Sequence, residues 1–237
     1  MMNKKLMIGF GALIGASLTG CSKSETQKPE TDKNENDTSI EKVEEVDLSS
    51  NLEKARREYI EGEKPLYIDG ILVVNKEFGI PRNYAPSANE EALRAYEQMK
   101  ADAKKDGLEI NIRSGHRTTE TQEMLFNNYA KRDGIEKANR YSAKPGHSEH
   151  ETGLTFDFTN EDTQKSIGDW FTETPQAKWL YENAYKYGFI LRYPEGKEDI
   201  TGYKYESWHY RYIGTEHSKN FAMNDLTLEE YLKIVNK

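Results

Sequence analysis

Between Ser22 and Ser39 the chain carries no apolar side chain, whereas short apolar groups recur at regular spacing from Leu66 onward. A stretch of the first kind cannot offset its chain entropy by burial. Residues 22–65 are therefore expected to be a flexible polar tether and domain edge, at most weakly helical over Ile40 to Glu58, with the folded unit beginning near Leu66. The run Ile71 to Val74, bounded by Gly70 and Asn75, predicts a buried strand within Leu66–Asn75. Ser87 with Glu90 reads as a capping box for a helix that presents Leu93, Tyr96 and Met99 on one face and stops at Gly107. Leu108 to Arg113 alternates apolar and polar positions and predicts a strand. Thr119 with Gln122 reads as a second capping box, opening a helix to about Arg132. Thr155 to Phe158 predicts a strand with Phe156 and Phe158 facing inward and Thr155 and Asp157 on the other face. Thr174-Pro175 opens a further helix that Gly188 ends, Phe189–Arg192 and His209–Ile213 read as strands, and the chain is helical from Thr227. Helices and strands mixed without regular alternation predict an α+β fold, in one domain over 66–237.

The N-terminus changes the picture of where that domain acts. Lys4 and Lys5 precede an apolar stretch, Leu6 to Ser17, which is too short for a permanent membrane span and reads as a signal peptide over residues 1–21. It ends in Leu18-Thr19-Gly20-Cys21, which resembles the bacterial lipobox and makes Cys21 the expected site of lipidation. Cys21 is the chain's single cysteine, so no disulfide within the chain is possible. An exported protein, lipid-anchored to the outer face of a bacterial membrane, is the expectation. The net charge of -8, from 33 basic and 41 acidic residues, argues against a nucleic-acid partner. A monomer is expected.

Five histidines occur, and three fall in two groups that also hold acids. The first group is Ser148-Glu149-His150-Glu151-Thr152-Gly153-Leu154-Thr155-Phe156-Asp157, where Gly153 permits a turn that returns His150 to the side of Asp157. The second is Glu206-Ser207-Trp208-His209. Hydrolytic zinc sites take three protein ligands and keep one position open, so His150, Asp157 and His209 suit one Zn2+ ion. Glu206 suits the base that accepts a proton from water and returns it to the leaving amine. Residues three apart on a strand face opposite ways, so Glu206 must leave the strand that carries His209. His147 is expected to be structural, because a fourth protein ligand would close the open position.

Ser148-x-His150 with Asp157, then Glu206-x-x-His209, resembles the LAS superfamily of lysostaphin, D-alanyl-D-alanine peptidases and hedgehog domains. The VanY-like and LdcB-like carboxypeptidase branch is the nearer resemblance, carried also by Ile71 to Lys76, Ser114-Gly115-His116-Arg117, Pro145 to Ser148 and Trp208 to Gly214. It implies a small antiparallel sheet that carries a zinc site and is flanked by helices. It further implies zinc on His150, Asp157 and His209, Glu206 as base, and Arg117 as the cation that polarises the scissile carbonyl or holds the substrate carboxylate. Gln122 and Ser148 would be its hydrogen-bonding companions for a terminal D-alanine. The implied activity is removal of the C-terminal D-alanine from peptidoglycan stem peptides, across a D,D or an L,D bond. An endopeptidase of the same superfamily, or a non-catalytic wall-binding lipoprotein, is the alternative. Glu151 and Thr155 depart from the Gln and Ala that relatives commonly carry.

Overall fold

A computed structural model describes residues 48–222 and 224–234. The expected signal peptide, the lipidation position Cys21 and the tether up to residue 47 lie outside these residues. Among the described residues no helix is long and apolar enough to cross a membrane.

The first helix, α1 (Leu48–Glu58), lies ahead of the start expected at Leu66. Leu52 and Ala55, with Tyr59 just beyond it, pack on a core of Leu66, Ile68, Ile71, Val73, Phe78 and Ile190, so the ordered fold takes in this helix. The strand expected in the Ile71–Val74 run is β2 (Ile71–Val73), and it pairs in a hairpin with β1 (Leu66–Ile68), which the sequence pattern did not separate, Leu66 lying opposite Val73. Asp69 and Gly70 form its two-residue turn at φ of 51° and 74°, the left-handed pair that matches the twist of the strands.

Two long helices follow. Helix α2 (Glu90–Lys105) is capped by Asn89 rather than by a Ser87–Glu90 box, the Asn89 Oδ1 accepting from Glu91 N and Ala92 N at 3.0 Å each. Helix α3 (Thr119–Asp133) is capped by Thr118, whose Oγ1 accepts from Thr121 N at 3.2 Å. That leaves Gln122 out of capping. Helix α4 (Pro175–Asn183) has Thr174 as its cap, as the Thr-Pro signal predicts, and tightens to a 3-10 turn over Ala184–Tyr187 before Gly188. A short C-terminal helix, α5 (Leu228–Tyr231), starts at Thr227.

The main sheet is antiparallel, with β3 (Asn111–Ser114), β4 (Thr155–Thr159), β6 (His209–Tyr212) and β5 (Phe189–Leu191) in that spatial order. Its first strand begins later than the Leu108 start expected, leaving Leu108 and Ile110 to pack before the pairing begins. The mixed helices and antiparallel strands make the α+β fold anticipated. Pairing sets Thr155 opposite Arg211, Phe156 opposite Tyr210 and Asp157 opposite His209. Because opposite residues share a face, Phe156, Phe158, Tyr210 and Tyr212 meet Tyr96, Met99 and Leu180 in the larger core. The other face, with Thr155, Asp157, His209 and Arg211, is as deeply buried. It buries charge, and the site lies there.

Candidate active site

His150 sits in a one-turn 3-10 helix, Glu149–Thr152, ended by Gly153 at φ 72°. A Cβ at Gly153 would stand 2.4 Å from Ser87 O, so both the backbone sign and the space call for glycine here. The turn brings the chain back into β4, and Asp157 arrives beside His150. His150 Nε2 lies 3.3 Å from Asp157 Oδ2, and His209 Nδ1 lies 2.9 Å from Asp157 Oδ1. One ligand atom from each of the three falls within 4.8 Å of the others.

These residues fit zinc. Ligands about 2.0–2.1 Å from a tetrahedral ion stand about 3.3 Å apart, the separation of His150 Nε2 from Asp157 Oδ2. His150 Nδ1 lies 2.7 Å from Gly115 O, and a carbonyl can only accept. Nδ1 therefore carries the proton, and Nε2 offers its lone pair beside Asp157. Two nitrogens and one carboxylate oxygen are the donor set of an open hydrolytic site.

The electrostatics favour a cation. Desolvation pushes the Asp157 carboxyl upward, but the adjoining His150 and His209 imidazoles outweigh it and hold the group well below the usual carboxylate range. Burial likewise disfavours the charged form of His209, yet its contacts with Asp157 and Glu149 prevail and raise it to about 9. His150 moves the other way, lowered by burial and by the Arg117 charge. A metal-free His209 thus holds a proton where a bound cation would otherwise sit.

Glu206 lies in irregular backbone just ahead of β6, as its place beside a strand-borne His209 requires. His209 N donates to Glu206 O at 3.1 Å, which closes a turn and sets Glu206 Oε2 3.7 Å from His209 Nδ1. Burial raises the Glu206 carboxyl to about 7, with the Asp157 charge adding to the rise and His209 opposing it. That places it where a base can both take and return a proton near neutrality.

Arg117 follows the end of β3, half-buried. Its Nη1 donates to Gln122 Oε1 at 2.9 Å and its Nη2 to Ser114 Oγ at 3.0 Å, with Asp157 Oδ2 3.9 Å away. Gln122 is fully buried and also donates to Ala143 O at 2.8 Å. It stands behind Arg117 rather than on the cleft wall, so the geometry gives it the task of aiming the guanidinium. Ser148 is on the wall, as are Arg117, Glu206 and the His–Asp–His group, around a cleft of about 550 Å3. That volume suits a short peptide segment. His147 stays out of the metal group, its Nδ1 2.8 Å from Asn75 O.

Sequence reasoning gave no role to two supports of His209. Tyr193 stacks on the imidazole at 4.7 Å, Tyr203 stacks on Tyr193 at 4.3 Å, and Lys76 Nζ caps Tyr203 at 3.6 Å from the ring centre. Glu149 is buried behind the ligands between Arg192 and Arg211. A pair of tyrosines ten apart carries no motif signal, and an acid beside a histidine reads equally well as surface.

Residues 86–215, more than half of the chain, match the family described as VanY, D-alanyl-D-alanine carboxypeptidase. The chain is 40% identical to the protein YodJ of Bacillus subtilis (strain 168) over 70% of its own length and 68% of that relative's. Among solved structures it is similar to the LdcB LD-carboxypeptidase, reported for its peptidoglycan recognition, with a TM-score of 0.65 and 37% identity over 76% of this chain and 99% of that one. It is also similar to a vancomycin-resistance D,D-pentapeptidase VanY variant in complex with Zn(II), with a TM-score of 0.58 and 31% identity over 68% and 97% of the two chains. The fold and the clustered His150, Asp157 and His209 agree with these likenesses, and the chain belongs to the VanY family of carboxypeptidases.

Proposed function

We propose that the protein is a zinc carboxypeptidase that removes the C-terminal D-alanine from peptidoglycan stem peptides, across the D,D bond of a pentapeptide or the L,D bond of a tetrapeptide. The observation that carries this reading is the convergence of His150, Asp157 and His209 with Glu206 and Arg117 around one cleft. Zinc held by the three ligands supplies Lewis acidity, activating water and polarising the scissile carbonyl. Glu206 takes the proton from the attacking water and delivers it to the amine of the departing D-alanine. Arg117, aimed by Gln122 and Ser114, offers its remaining N–H groups to the substrate's terminal carboxylate or to the developing oxyanion. Ser148 contributes a hydroxyl on the same wall. The signal peptide and Cys21 support action at the outer face of the membrane, where a lipid anchor and a polar tether keep a monomeric domain near the wall.

The test is incubation of purified protein with tetrapeptide and pentapeptide muropeptides, with and without chelator, followed by measurement of free D-alanine. Release that chelator abolishes supports the reading, and the preferred substrate names the bond. Internal fragments without free D-alanine would instead establish an endopeptidase.

A further inference from the structure

Two arginines are among the most deeply buried side chains of the described residues, Arg192 at 0% and Arg211 at 1% exposure. Burying such charges costs several kcal/mol each unless geometry and partners compensate. Both converge on one atom, since Arg192 Nε and Arg211 Nη1 each donate to Glu149 Oε1 at 2.8 Å. Their other nitrogens are taken as well. Arg192 Nη1 and Nη2 reach the two Glu229 oxygens of α5 at 2.8 and 2.7 Å, while Arg211 Nη2 and Nε reach Leu72 O and Tyr212 O at 2.7 and 3.1 Å.

This arrangement pins one oxygen of Glu149 and leaves the other without a guanidinium. That second oxygen, Oε2, lies 3.5 Å from His209 Nε2 and 3.5 Å from Thr155 Oγ1. His209 Nε2 is buried and has no hydrogen-bond partner at this geometry, and Glu149 Oε2 is the charged acceptor facing it. The opposite nitrogen, Nδ1, faces Asp157. A network that served packing alone had no reason to keep one carboxylate oxygen for a ligand's far side.

We infer that Glu149 is a positioning residue for the metal centre: its Oε2 receives the Nε2–H of His209 and so fixes the tautomer that presents Nδ1 beside Asp157. Arg192 and Arg211 hold the carboxylate at that bearing. The inference rests on the zinc reading of His150, Asp157 and His209. A carboxylate behind a metal-bound imidazole both orients the ring and makes it a better donor, and its removal weakens metal binding about 10- to 100-fold.

The experiment compares the full-length protein with Glu149→Gln and Glu229→Gln variants. Zinc dissociation constants come from competition with a chromophoric chelator, and the His209 tautomer from two-bond proton–nitrogen NMR correlations of zinc-loaded wild type. The expected results are a proton on Nε2, zinc binding weakened about 10- to 100-fold by Glu149→Gln, and zinc binding changed less than about threefold by Glu229→Gln. Glu229→Gln removes an Arg192 partner without touching His209, so equal weakening by both variants reduces Glu149 to a structural role and overturns the inference. Unchanged zinc binding in Glu149→Gln, or a wild-type His209 that binds through Nε2, overturns it too. The tautomer is read in wild type, so binding through Nε2 overturns the inference even if Glu149→Gln does not fold. Wild type that takes up no zinc at all refutes the metal reading itself.

Discussion

Replacing Glu206 by Gln keeps the side chain's shape and removes its charge, and two consequences of opposite sign follow. Burial lifts this carboxyl from an ordinary 4.5 to about 7, which corresponds to about 3 kcal/mol of preference for the neutral form in the native state. A folded value above the unfolded one means that the native protein holds the proton more tightly. That contribution is fully present below about pH 4.5 and is lost as pH rises through about 7. Above neutrality the metal-free wild type therefore carries an ionised, desolvated Glu206 that the Gln variant lacks. Urea unfolding in the presence of chelator, followed by tryptophan fluorescence, should find the variant gaining on wild type by about 2–3 kcal/mol between about pH 5 and pH 8.5. Release of D-alanine by the zinc-loaded variant should fall by about 10²- to 10⁴-fold. A stability difference that is flat across that range refutes the burial argument. Retained turnover refutes the role of Glu206 as base.

Arg192→Met leaves Glu149 and Glu229 buried against fewer counter-charges, and should cost about 3–5 kcal/mol in chemical unfolding; a loss under about 1 kcal/mol would mean that the network relaxes freely. Gly153→Ala forces a side chain onto Ser87 O at a positive φ, with an expected cost of about 1–3 kcal/mol and weaker zinc uptake, since the same turn sets His150 against Asp157. Zinc at about a hundredfold excess over its dissociation constant should stabilise the protein by about 2.7 kcal/mol. A thermal midpoint indifferent to zinc and to chelator would argue that the triad does not hold the ion.

How far the sequence revealed the site depended on the range of the forces involved. His150 and Asp157 are joined by a local turn, and Gly153 between them is a local signal, so their meeting was readable from spacing. Glu206 and His209 are equally local to each other. What joins the two pairs is the β4–β6 register that sets Asp157 opposite His209, and no single-strand pattern states a register. The helix caps were misplaced for a different reason. Ser87 and Thr119 satisfy the spacing of a capping box, but the helices are capped by the simple side-chain acceptors Asn89 and Thr118, which a rule that looks for Glu or Gln three residues on passes over. That second error mattered for function, since a Gln122 occupied in capping would not be free to hold Arg117. Gly70 marks the start of the Ile71–Val74 run, but the partner strand β1 is only three residues long, too short an alternation to announce itself beside the Asp69-Gly70 turn.

The least legible part is the reverse side of the sheet, where strand residues that alternate toward the site are Thr155, Asp157, His209 and Arg211 rather than aliphatic groups. Read for polarity alone, this is a solvated face. It is buried because each charge has a partner. Arg192 and Arg211 pair with Glu149 and Glu229, whereas Asp157, Glu206 and the second oxygen of Glu149 converge on His209 with Arg117 only at 3.9 Å from Asp157. The rear cluster is therefore balanced without any ligand, and the front cluster is not. Contacts with Asp157 and Glu149 overcome burial to raise His209 to about 9, and burial raises Glu206 to about 7, so both groups hold protons at and below neutral pH. A divalent cation would replace them, which makes metal uptake proton-releasing.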